Sequence, residues 1–61
     1  DSIEARQKLA DIAEKAGNIE GQRRWQRELI AADRNAGAAR TDRTQYLAAK
    51  AQLALASPAR D

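Results

Sequence analysis

"GQRRWQREL" (Gly21–Leu29) sets the chain's one tryptophan among three arginines. Read as a line, the segment interleaves an aromatic ring with cations. Wound into an α-helix, at about 100° per residue, it separates them. Trp25, Leu29 and Ala32 then share one side, Arg23, Arg27 and Arg34 take the opposite side, and Arg24 falls nearer the flank. A platform for stacking bases needs aromatic and cation on the same exposed surface. An inward indole instead contributes about 2–3 kcal/mol of burial. The segment therefore reads as the amphipathic middle of a helix, and the fold builds outward from it.

Upstream, Gly17-Asn18 supplies a helix stop and the next helix's cap, with glycine suited to the left-handed residue beyond a helix end. Glu20 suits the first turn of the helix that follows. Before that turn, Ala5, Leu9, Ile12, Ala13 and Ala16 recur at helical intervals, and Asp1 and Glu4 have the spacing of a capping box. Downstream, Asn35-Ala36-Gly37 closes the second helix. Thr41 or Asp42 caps a third, Asp42 and Gln45 again standing three apart. Ser57-Pro58 stops it, because the residue before proline is pushed out of helical geometry. Helices are thus predicted over about residues 2–16, 19–35 and 42–56. Nothing alternates with period two. The connections are short enough that consecutive helices must run antiparallel as neighbours. The expected fold is all-α: one helical hairpin plus the first helix of a further unit.

At 61 residues the chain makes one small domain with a thin core. Much of its apolar content is alanine, so the expected core is a short set of larger side chains: Leu9, Ile12, Trp25, Leu29 and Leu47. Neither cysteine nor histidine is present, which removes disulfides and the usual zinc ligands. No apolar run approaches the ~20 residues that cross a bilayer. The chain opens at Asp1 without methionine, which suggests a piece of a longer protein.

The third helix departs from the usual narrow stripe. Tyr46 and Leu53 point one way, Leu47 about a quarter turn round, and Leu55 nearly opposite Tyr46, with Lys50 and Gln52 the only polar residues between 46 and 56. An apolar arc this wide suggests that one flank is meant for a further helix, from this chain or another.

"KLADIA" (Lys8–Ala13) and "YLAAKA" (Tyr46–Ala51) repeat the order Leu-Ala-x-x-Ala at an offset of 38 residues, within the range of paired-helix repeats. Leu9-Ala10 with Ala13, the Gly17-Asn18 turn, Gly21, Trp25 and Asp33 together resemble a tetratricopeptide-type repeat. In that resemblance Gly21 is the small residue of close helix approach, and Asp33 the acidic residue ending the unit. Ala13 stands where the family has an aromatic residue, and Arg34 where it has a proline. The resemblance implies an α-solenoid fragment that scaffolds protein binding, with the first helix of each unit lining a concave side.

Two charged stripes are candidates for partner contact. One is basic, Arg23, Arg27 and Arg34, joined by Arg40 and Arg43. The other, Glu4, Gln7, Asp11 and Glu14, is mildly acidic and suits a basic or polar peptide. Local i,i+4 pairs offer each a solvated alternative: Glu4 with Lys8, Asp11 with Lys15, and Arg24 with Glu20 or Glu28. No nucleophile–base pair, metal-ligand spacing or phosphate loop occurs. The sequence thus points to a non-catalytic module without a cofactor. Its partner would be a protein or peptide, a neighbouring helical repeat, or a second copy. The competing reading is a small basic bundle gripping nucleic acid, disfavoured because six to ten phosphate contacts need a denser patch.

Overall fold

The computed structural model describes residues 2–56. They form α1 (Ser2–Lys15), α2 (Ile19–Ala36), a short 3₁₀ turn (Gly37–Ala39) and α3 (Asp42–Ala56). Among the described residues there is no strand. The fold is all-α, as the sequence predicts.

Local chemistry places each boundary. α1 ends because Gly17 turns left-handed at φ 76°. The amides of Asn18 and Gly17 then donate to the carbonyls of Ala13 and Glu14 at 2.8 and 3.0 Å, occupying acceptors that the helix end leaves free. Asn18 starts α2, its side-chain oxygen accepting from the Gly21 amide at 2.9 Å. Gly37, at φ 55°, ends that helix. α3 begins at Thr41 through a reciprocal threonine box rather than the expected Asp42–Gln45 pair. The Thr44 amide donates to the Thr41 hydroxyl at 3.1 Å, and the Thr41 amide to the Thr44 hydroxyl at 2.9 Å. The capping role expected of Asp1, and the stop expected at Ser57-Pro58, lie outside the described residues.

α2 is the central element and packs along both of the others, whereas α1 and α3 touch sparingly. Among the described residues, Leu29 of α2 is the one large side chain with no exposed surface. Around it gather Ile3 of α1 and Leu47, Ala48 and Ala51 of α3, with Ile30 and Ala32 packed at the margin. This cluster joins the start of α1, the second half of α2 and the middle of α3, and Arg23 near the start of α2 reaches Leu55 near the end of α3, so consecutive helices run antiparallel.

The expected core needs correction on α1. Ile3, Ala10 and Ala13 are buried, while Leu9 is 38% and Ile12 58% exposed. The helix carries two apolar stripes, 5–9–12–16 and 3–10–13, about a third of a turn apart. The second is the one that brings Ile3 against both α2 and α3, and that three-way contact wins over the larger area of the first. Trp25 is half-buried rather than enclosed. Leu29 and Leu47 are buried as expected.

One buried charge ties the corner between α2 and α3. Asp33 is 4% exposed, and its Oδ2 meets the Arg40 guanidinium at 3.0 Å. Its Oδ1 is buried without a hydrogen-bond partner, so Arg40 carries most of the compensation that a desolvated carboxylate requires.

Two stability outcomes follow from this packing. Leu29→Ala should lose about 2–5 kcal/mol, close to all that a core of this size supplies, about 3–5 kcal/mol. Ile12→Ala should stay within roughly 0.5 kcal/mol, as for other surface sites. Urea unfolding followed by circular dichroism separates the two. Arg40→Ala, which strands the Asp33 carboxylate, should lower stability by about 1–3 kcal/mol in the same assay.

Candidate functional site

Three surfaces remain once the core is assigned. The first is apolar. On α1 the stripe Ala5, Leu9 and Ile12, continued by Ala16 in the turn, is exposed, and Ile19, 49% exposed, opens α2 beyond it. On α3 the side opposite the core carries Tyr46 at 60% and Leu53 at 72% exposure. α3 is thus apolar on two sides, as its wide arc predicts. The outer pair is Tyr46 and Leu53, not Leu55, which is half-buried on the inner side.

The second surface is the arginine segment. Its members do not act as one stripe. Arg23 is half-buried and reaches the end of α3, donating to the Leu55 carbonyl at 2.7 Å. It satisfies one of the acceptors that a helix C-terminus leaves open, so its role is structural. Arg24 lies with its guanidinium carbon 5.5 Å from the centre of the Trp25 ring, within cation–π range. Aromatic and cation therefore meet at the flank, which corrects the expectation that the ring stands apart from every arginine beside it in sequence. Arg27 and Arg34 remain exposed on the outer side of α2. Arg27 also borders a shallow basin with Asn18, Glu20, Gly21 and Arg24.

The third surface is a groove of about 230 Å³ between α1 and α3. Gln7, Asp11 and Glu14 line one wall, Gln22 and Gln26 of α2 the floor, and Lys50, Ala51 and Ala54 the other wall. The Gln7 side-chain amide donates to Asp11 Oδ1 at 2.9 Å. Three of the four acidic-stripe candidates thus meet in one place. The floor glutamines carried no sequence signal, since polar residues at the flank of an amphipathic helix look like solvated ones.

Glu4, the fourth, closes the other end by pairing with Arg43 across α1 and α3. Hydrogen bonding from that guanidinium, more than its charge, holds the Glu4 carboxyl below its ordinary value of 4.5 and raises Arg43 in turn. None of the expected i,i+4 ion pairs forms among the described residues. Glu4 takes Arg43 instead of Lys8, Asp11 takes Gln7 instead of Lys15, and Arg24 takes the indole instead of Glu20 or Glu28. Exposed i,i+4 pairs are worth only a few tenths of a kcal/mol, so a tertiary partner or a ring displaces them easily.

Gly21 also differs from the role that the repeat resemblance implies. The nearest atoms a Cβ would meet there, at 2.5–3.2 Å, all belong to the capping amide of Asn18. The glycine makes room for the cap of its own helix.

No group of three potential metal ligands converges among the described residues, and no described helix is long and apolar enough to cross a membrane. The features define an all-α unit of three helices with open outer faces. Comparison with protein-family models, with curated proteins and with solved structures finds no match.

The Glu4–Arg43 contact has a pH signature. A carboxyl lowered on folding contributes stability that is present above its ordinary value and is lost as pH falls through the folded value. Arg43→Ala should return the Glu4 titration toward 4.5, followed at the side-chain carboxyl carbon by NMR. An unchanged midpoint would show that Arg43 does not cause the shift.

Proposed function

We propose that the chain is a non-catalytic protein-interaction module, a helical unit of tetratricopeptide-like type whose outer faces pack against other helices. The observation that carries this reading is the exposure of Ile12, Ile19, Tyr46 and Leu53, each 49–72% open to solvent. Ile12 sits on α1, Tyr46 and Leu53 on α3, and Ile19 at the start of α2, in a unit where Leu29 is the one fully buried large residue among those described. A chain with so little apolar mass leaves a large part of it outside, on faces with helical spacing. Exposed apolar side chains gathered on helix faces are the kind of surface that contact sites on soluble proteins use. The Leu-Ala-x-x-Ala order shared by α1 and α3 fits the same reading as a helical-repeat signature, although Ala10, Ala13, Leu47, Ala48 and Ala51 are buried within the unit itself.

The strength expected of a lone unit is modest. Full burial of a Leu or Ile contributes about 1.5–3 kcal/mol, and roughly half of each open side chain is still available. Association costs about 4–15 kcal/mol in lost freedom, so free copies should associate weakly, toward the millimolar range. Sedimentation of the wild-type chain from micromolar to millimolar concentration should show this association. Leu53→Gln and Ile12→Gln should each reduce it while leaving the helix content intact. A strictly monomeric wild type, with both substitutions silent, contradicts the reading. A salt-dependent shift of short oligonucleotides that Arg27→Glu with Arg34→Glu abolishes would favour the nucleic-acid alternative instead.

A further inference from the structure

The groove between α1 and α3 has a chemistry unlike that of the apolar faces, and we propose that it takes a partner's polypeptide segment carrying arginine or lysine side chains. The inference rests on the reading of the chain as a protein-binding module, but it uses a different surface and different forces.

Charge complementarity identifies the occupant. Asp11 and Glu14 stand three residues apart on one wall, so both carboxylates face the same space. Neither pairs with a cation among the described residues, in contrast to Glu4 and Asp33, which pair with Arg43 and Arg40. The one cation among the groove's lining residues is Lys50, and its ammonium lies 6.0 Å from the centre of the Tyr46 ring, one turn back on its own helix. Among the described residues the acidic wall is therefore left without a cation in ion-pair contact. Gln7 fixes the Asp11 carboxylate by donating to Oδ1, so that the group need not be ordered again on binding.

The remaining lining fits a peptide. Gln22 and Gln26 are half-buried one turn apart on the floor, and each side-chain amide offers both a donor and an acceptor to a passing main chain. Ala51 and Ala54 keep the far wall low. At about 230 Å³ the groove is smaller than the ~300–1,000 Å³ of small-molecule pockets. It suits single side chains of a longer segment. Guanidinium on carboxylate is the strong, directional form of such a contact. A phosphate-bearing ligand meets repulsion from both carboxylates.

The test is an NMR titration of the whole chain with a short unstructured peptide of alternating arginine and serine, matched by a glutamate–serine peptide. The arginine peptide should shift the side-chain amides of Gln22 and Gln26 and the backbone of residues 7–14, more weakly as salt rises. Asp11→Asn with Glu14→Gln should weaken binding roughly tenfold, through loss of two charge-assisted contacts. Lys50→Gln, which removes the groove's cation and leaves its carboxylates, should tighten binding. Absence of shifts at the groove, equal binding by the double variant, or equal binding of the glutamate peptide overturns the proposal. Ile12→Gln and Leu53→Gln should leave the titration unchanged. Failure at the groove is thereby distinct from failure of the apolar faces.

Discussion

Burial of Leu29 is the contact on which the rest depends. Among the described residues it is the single large side chain fully removed from water, and it is reached from both sides, by Ile3 of α1 and by Leu47, Ala48 and Ala51 of α3. At the start of α1 Glu4 meets Arg43 of α3, and further along the two helices the groove lies over Gln22 and Gln26 of α2. The same packing choice on α2 thus carries both the ion pair and the groove.

The same choice governs what is left outside. To seat Ile3, α1 must turn its 3–10–13 stripe inward, which leaves Leu9 and Ile12 in solvent. α3, seated by Leu47 and Ala51, leaves Tyr46 and Leu53 on its far side. Solvation of these side chains is the unfavourable term that a neighbouring helix would remove. The polar contacts mark limits rather than supplying the main driving force: Arg23 fixes the end of α3, and Arg40 neutralises the buried Asp33.

The helices and their ends were legible in the sequence because their causes are local. A left-handed glycine at position 17, an asparagine cap at 18 and a threonine cap at 41 act within one turn, and spacing alone finds them. The two sides of α3 were legible for the same reason. The face that α1 buries was not, since two apolar stripes compete and only the approach of a third helix decides between them. Nor were the partners of the charged residues. Arg23 reaches a carbonyl 32 residues away and Arg43 a carboxylate 39 away, and the Glu4–Lys8 attraction that spacing suggests is too weak to hold against the second. The acidic candidates Gln7, Asp11 and Glu14 were visible as a helical stripe, but the glutamine floor that joins them into a groove depends on how α1 and α3 pack on α2.

Native-state hydrogen exchange tests the central claim most directly, because it reads how firmly each helix is held. If α2 organises the unit, its amides around Leu29 should be the slowest to exchange. Those of α1 near Ile3 and of α3 near Leu47 should share that protection, while the far ends of α1 and α3 that flank the groove exchange faster. Uniform, weak protection across all three helices, or strong protection confined to α1 and α2 with α3 unprotected, would contradict a core centred on Leu29.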